Sequence, residues 1–249
     1  SRRPRIGILG STRGTNTLHI YQEIAAGRFD AEVAVVISNI SKAVILERAR
    51  AAGVPAVHVL GKGRTREEFD AEVNSVLEAH GVDIVLLVGF MRILSPVFCN
   101  AWKGRAVNVH PSLLPAYRGA APITWSILRG DHKTGVSVVE VHPRQFDAGD
   151  ILMQVEEEIL EDTTEPELRA HLAKVGSDCL AAAICNLELG MRPQVKQSAV
   201  QGGIVVPAPK VAKRHGTLRW RTKDTSLICG GLELHTPPSS RTLYNRWRA

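Results

Sequence analysis

Short apolar runs alternate with amphipathic stretches along the first three-quarters of the chain. Ile6–Leu9, Val33–Ile37, Pro55–Leu60 and Ile84–Val88 have strand length, and the segments between them place apolar residues at helical spacing. A helix is expected from the loop after Gly10 to about Ala26, and another over Lys42–Ala52, closed by Gly53. Thr65 and Glu68 have capping-box spacing ahead of a face made by Phe69, Val73, Val76 and Leu77, so His80 reads as a helix-end residue. Ile84–Val88 is uninterrupted, as in a central strand covered on both faces. Strand and helix patterns continue with strands at Ala106–Val109, Gly135–Val141 and Ile151–Val155 and a helix over Pro122–Arg129. A long helix opens at Thr164, with Leu168, Leu172, Val175, Cys179, Ala183 and Leu187 as its stripe, and ends at Gly190. This alternation predicts an α/β fold: a doubly wound, mostly parallel sheet with helices on its faces.

The regular alternation stops after Pro193, so the chain reads as a domain over 1–191 followed by a basic linker over 192–239. Within the linker, 221–239 reads as a loosely ordered insertion. Charge sharpens this division. From Arg192 onward there are eleven Lys or Arg against two acidic residues, whereas 1–191 hold 20 basic and 23 acidic ones, so the net +6 comes from the end of the chain. A basic end is either a solvated tail or a surface for a polyanion. No apolar run is long enough to cross a bilayer and no apolar secretory start is present, so a soluble chain without a membrane partner is expected. Cys99, Cys179, Cys185 and Cys229 lack metal-ligand spacing; no metal is expected, and the free thiols fit a reducing compartment. The basic start, Ser1 to Arg5, reads equally as the remains of a targeting segment or as a simple basic end.

Candidate chemistry concentrates between Arg105 and Pro122. Asn108 and His110 lie two apart near a strand's end and so share a face, and Pro111, Pro115 and Gly119 turn the following chain back over them. An amide and an imidazole side by side can donate to one oxygen while the imidazole handles a proton, as an acyl or formyl transfer requires. An isolated His110 would read as a satisfied core histidine. Gly10-Ser-Thr-Arg-Gly-Thr-Asn16 is a glycine loop entering a helix, able to bind an anion or simply to turn the chain. His142 to Asp150 is a nonperiodic loop with two carboxylates, where Asp147 by residue type alone is an Asx turn. Segments leaving the strands after Val88 and Val109 should border one cleft at the carboxyl edge of the sheet.

Asn108-Val-His-Pro-Ser-Leu-Leu-Pro-Ala-Tyr-Arg-Gly-Ala-Ala-Pro122 resembles the signature of formyltransferases that use 10-formyltetrahydrofolate. The resemblance runs from Ile6 to Trp220 and implies a Rossmann-like formyltransferase fold. It implies Asn108, His110 and Asp147 as catalytic residues, the Asp working with the strand histidine. It further implies a folate pocket lined by Met91, Arg92, Ile93, Leu94, Ser112, Leu113, Leu114, Pro115, Val141 and Phe146. Asn16, with Gly14 in its loop, is the implied grip on a substrate phosphate, and Arg13, Arg118, Gly119 and Lys210 are further candidate substrate contacts, the cations for phosphates.

Tyr117 to Pro122, the Phe146-Asp147 loop and the Ala208-Pro-Lys210 linker resemble methionyl-tRNA formyltransferases, the loop being of the mitochondrial type. That implies 240–249 as the start of a truncated C-terminal tRNA-binding domain, initiator methionyl-tRNA as partner, no DNA, a monomer, and a mitochondrial matrix location or otherwise the cytoplasm. The glycine loop and Gly89-Phe-Met-Arg-Ile-Leu-Ser-Pro96 are closer to glycinamide ribonucleotide formyltransferases. Three readings therefore stand at this point: formylation of methionyl-tRNA, formylation of a small amine such as glycinamide ribonucleotide or an amino sugar, and an RNA-binding module without catalysis.

Overall fold

A computed structural model describes residues 2–11, 15–188, 195–200 and 203–211, the side chains of Thr15, Asn16 and Glu188 apart, and the backbone of three short strands between 218 and 234. Seven strands form one sheet: β1 (Arg5–Leu9), β2 (Glu32–Ser38), β3 (Ala56–His58), β4 (Ile84–Leu87), β5 (Ala106–His110), β6 (Lys133–Glu140) and β7 (Ile151–Glu158). Their spatial order is β3-β2-β1-β4-β5-β6-β7. The first five pair in parallel, and β6 and β7 add on antiparallel. The expected sheet is present, mostly parallel and wound in both directions from β1.

Alternation along each strand sends side chains to two cores. Ile6, Ile8, Leu86 and Val107 pack under α1 (Thr15–Ala25), α2 (Val44–Ala51), α5 (Pro122–Arg129) and α6 (Glu165–Glu188). Leu9, Val35, Val85 and Leu87 meet α3 (Arg66–Ala79) and α4 (Pro96–Ala101). All four residues of β4 are buried, as its unbroken apolar run predicts for a strand covered on both faces. In α3, Thr65 accepts from the Glu68 N–H and Glu68 reaches back to the Thr65 N–H, which completes the capping box, and His80 is the C-cap.

Some elements differ from their sequence reading. The helix α4 was hidden in a short segment, although Ser95 at its N-cap and Pro96 in its first turn are start signals. The strand expected over Ile151–Val155 runs on to Glu158. At this edge, Met153 to Glu158 alternate between half-buried and exposed, which an antiparallel strand with one wet face allows. Inside the stretch expected to be loosely ordered, β9 (Leu227–Cys229) pairs antiparallel with β8 (Leu218–Trp220) and with β10 (Leu232–Leu234). Gly230-Gly231 between Leu227-Ile-Cys229 and Leu232-Glu-Leu234 is the hairpin signal for the second pair. The further unit expected over 240–249 lies outside the described residues.

The winding of the sheet reverses between β1 and β4, and the ends of the strands there are tied together. The Ser11 N–H donates to Gly89 O, its hydroxyl donates to Asn39 Oδ1 and accepts from the Met91 N–H at 3.0 Å. β4 stops at Leu87, level with Asn108, while β5 continues to His110. The crevice beyond β4 thus exposes the flank of β5 at the residues expected to carry chemistry.

Candidate active site

Asn108, His110 and Asp147 meet at one point. Asn108 Nδ2 donates to Asp147 Oδ1 at 2.9 Å, and His110 Nδ1 stands 3.3 Å from the same oxygen. The second carboxylate oxygen accepts the Gly119 N–H at 3.1 Å. Two constraints aim the carboxylate inward: Asp147 adopts a left-handed backbone with φ of 54°, and Gly149 packs so closely on Glu140 that an added Cβ would lie 1.9 Å from its carbonyl oxygen. The His110 and Asp147 side chains are only 6% and 9% exposed.

On the far side of the imidazole, Nε2 lies 2.8 Å from Tyr117 O, which can only accept, so Nε2 carries a hydrogen. Both ring nitrogens therefore face oxygens of the protein. This corrects the expectation that His110 donates directly to a substrate oxygen: it braces Asp147 and the Tyr117 turn. Asn108 keeps one amide hydrogen beyond the one given to Asp147.

Burial pushes the Asp147 carboxyl up, but the hydrogen bond and charge of His110, the Gly119 N–H and the Asn108 amide together hold it below its ordinary value of 3.8. The carboxylate is the ionised form at neutral pH. A depressed native value adds stability that is complete above the unfolded value and is lost as pH falls through the native one. In urea unfolding from pH 7 downward, the stability gap between the wild type and Asp147→Asn should stay level to about pH 5 and then close towards pH 3. A gap independent of pH would overturn the assignment of these contacts to the ionised carboxylate.

Two hollows meet here. The larger, about 580 Å³, is lined by Val88 to Met91, Asn108 to Pro111, Gly119 to Ile123 and residues at the start of α6. The smaller, about 40 Å³, lies among Arg92, Ile93, Leu94, Val141 and His142. Phe90, Asn108, Phe146 and Asp147 border both and form the wall between them. Among the described residues no group of three His, Cys, Asp or Glu is placed to hold a metal ion.

Comparison with known proteins decides the class, because the sequence profile of the formyl transferase family matches residues 4–184. The chain belongs to the formyl transferase family. It is 37% identical over 175 residues to the trifunctional purine biosynthetic protein adenosine-3 of Chironomus tentans, a match covering 68% of this chain but 13% of that protein. It is 36% identical over 189 residues to the methionyl-tRNA formyltransferase of Anaeromyxobacter sp. (strain K), covering 76% of this chain and 57% of the relative. The crystal structure of glycinamide ribonucleotide transformylase 1 from Symbiobacterium toebii superposes with a TM-score of 0.70 at 36% identity, covering 76% of this chain and 89% of that one.

Within this formyl transferase the expected donor-pocket residues divide. Met91 borders the large hollow, Arg92, Ile93, Leu94 and Val141 the small one, and Phe146 both. Ser112, Leu113, Leu114 and Pro115 border neither, contrary to expectation. Their loop is stitched to the sheet: Ser112 O accepts from Ser137 Oγ, the Leu114 N–H donates to Ser137 Oγ and Leu114 O accepts from Gln154. The Leu114 side chain is therefore buried against Val139 and Ile151.

Of the expected amine-substrate contacts, Gly119 borders the large hollow. Arg118 does not, since its guanidinium binds Gln197 Oε1. Lys210 is exposed just after Ala208 and Pro209, which are bonded to Arg118, Ala121 and Trp125. Arg13 and Gly14 lie outside the described residues, and Asn16 is described only as backbone in α1.

Sequence reading missed the far wall of the large hollow, where Glu165 and Arg169 pair on α6 beside Leu172 and Ala173. Their i,i+4 spacing was the available signal. It missed Gln197 as well, for which no local signal exists.

Proposed function

We propose that this formyl transferase moves a formyl group from 10-formyltetrahydrofolate to the α-amine of methionyl-tRNA. One observation carries the transfer reading: Asn108 and Asp147 stand in the wall shared by two hollows, where a donor from one side and an amine from the other would meet. The small hollow has to widen for a folate, since ligand pockets are usually about 300 Å³ or more.

The amine's lone pair forms the new N–C bond and the carbonyl pair moves onto oxygen, where the spare hydrogen of the Asn108 amide meets the developing charge. Asp147, kept ionised and held by His110, receives the amine's proton, directly or through water. Collapse of the intermediate breaks the bond from carbon to the folate nitrogen, which leaves with the proton that Asp147 returns, directly or through water, and the carboxylate is regenerated.

Methionyl-tRNA as acceptor rests on the rim of the large hollow. Residues 206–209 are bonded along Arg118, Ala121 and Trp125, and Lys210 emerges there, followed by a chain rich in Lys and Arg. A cation at that rim, with further ones following in sequence, suits a polyanionic substrate. Glycinamide ribonucleotide is the second reading, favoured by the extent of the match to the glycinamide ribonucleotide transformylase. On the tRNA reading a mitochondrial matrix location and a monomer are proposed with it.

The test offers labelled 10-formyltetrahydrofolate with charged initiator tRNA, glycinamide ribonucleotide or an amino sugar nucleotide. Label on methionyl-tRNA, with binding that falls steeply as salt rises, is expected. Label only on glycinamide ribonucleotide would replace the acceptor while keeping the transfer, and label on none would overturn both.

A further inference from the structure

Gln197 comes from a segment beyond the family match, yet it sits beneath the catalytic loop. Val195 and Ile151 exchange N–H to carbonyl bonds of 2.9 Å in both directions, which lays this segment along the start of β7. The chain then makes one 3₁₀ turn, Gln197–Ala199, and the Gln197 side chain turns inward, with the residue 5% exposed.

All the hydrogen-bonding capacity of that amide is used. Its Nε2 donates to Asp147 O at 2.7 Å and to Gly149 O at 2.8 Å. Its Oε1 accepts from Arg118 Nε at 2.9 Å and from Arg118 Nη2 at 2.5 Å. These four bonds join the two pieces of chain that grip the carboxylate. One is the Asp147 loop itself, in its left-handed conformation; the other is the Arg118-Gly119 turn, whose next N–H holds Asp147 Oδ2. Without the amide, one buried and one part-buried carbonyl lose their donor and the guanidinium loses its acceptor, so both pieces are free to separate.

We propose that Gln197 is a positioning residue for Asp147, so that the segment following the family-matched region completes the active site. This rests on the reading of Asp147 as the proton acceptor in formyl transfer. It also gives Arg118 a role other than the substrate contact expected of it: it is the far anchor of the same bridge.

Two variants of the full chain test this. Gln197→Leu keeps the volume and removes all four bonds. Gln197→Glu keeps an oxygen for Arg118 and removes both donors to the loop. A displacement of about 1 Å at a catalytic group can cost 100-fold, so kcat should fall about 10- to 100-fold in both, with KM for each substrate changed less than about threefold. Carbon-detected NMR titration of the Asp147 carboxyl gives a reading that needs no substrate, and its midpoint should rise in Gln197→Leu because the bonds from Gly119 and Asn108 loosen.

An unchanged midpoint and unchanged kcat, with only a lower Tm, would show a merely structural glutamine and overturn the proposal. Should Gln197→Leu fail to fold, Gln197→Glu decides through kcat, where a wild-type value overturns it. If the wild type formylates no acceptor, the functional reading fails by itself and the Asp147 titration still decides the positioning.

Discussion

Turnover should fall by about 100-fold or more in Asn108→Ala, the scale of losing a donor to a developing oxyanion, and by about as much in His110→Ala, the scale of displacing a catalytic group by about 1 Å. The two losses have different origins. Asn108 is the donor with a hydrogen to spare at the wall between the hollows, so its removal strips stabilisation from the tetrahedral intermediate. His110 has both nitrogens committed, to Tyr117 O and to Asp147 Oδ1. Its removal acts through the carboxylate, which loses its principal partner and becomes free to turn away. The pH dependence of kcat separates them: His110→Ala should move the acidic limb to higher pH because Asp147 ionises less readily, while Asn108→Ala should lower the rate with a smaller displacement of the limb. Steady-state formyl transfer across pH checks both, and near-normal turnover in both variants would remove these assignments.

The second large effect is on stability. Phe69→Ala should destabilise the fold by about 3–5 kcal/mol, as truncation of a fully buried aromatic does. Phe69 is 0% exposed, its ring stacks on Phe90 with centroids 6.4 Å apart, and the Arg92 guanidinium lies over it at 4.4 Å. Phe69 supports the α3 side of the core and, through Phe90 and Arg92, the borders of both hollows. Urea denaturation of the two proteins measures the cost. A loss below about 1 kcal/mol would mean that the surrounding side chains collapse into the space, against the dense packing expected around a buried ring.

Much of this architecture was legible in the sequence because the deciding signals are local. The capping box at Thr65, the apolar run of β4 and Pro122 at the start of α5 each specify an element within a few residues. Asn108 and His110 were found by period-two spacing, and Asp147 by resemblance alone, since its carboxylate reaches them from a loop 39 residues beyond Asn108 in the chain. What stayed hidden depends on partners distant in sequence. The direction of β6 cannot be read from its own apolar run, which suits either pairing. The loop at Ser112–Pro115 reads as a turn over the site, but Ser137 and Gln154 pull it onto the sheet and out of both hollows. Gln197 has no periodicity to mark it, and its significance lies in four bonds to residues at least 48 positions away.

Phe90, Asn108, Phe146 and Asp147 divide the two hollows, and among the described residues neither hollow is lined by serine, threonine, cysteine or lysine. On the proposed transfer the one-carbon unit meets no hydroxyl, thiol or amine among the described lining residues on which to rest between partners, and we expect it to cross the divide in a single encounter. On that expectation both reactants are aboard together, in a ternary complex, before either product departs. Double-reciprocal lines gathered at several fixed levels of the second reactant should therefore intersect rather than run parallel.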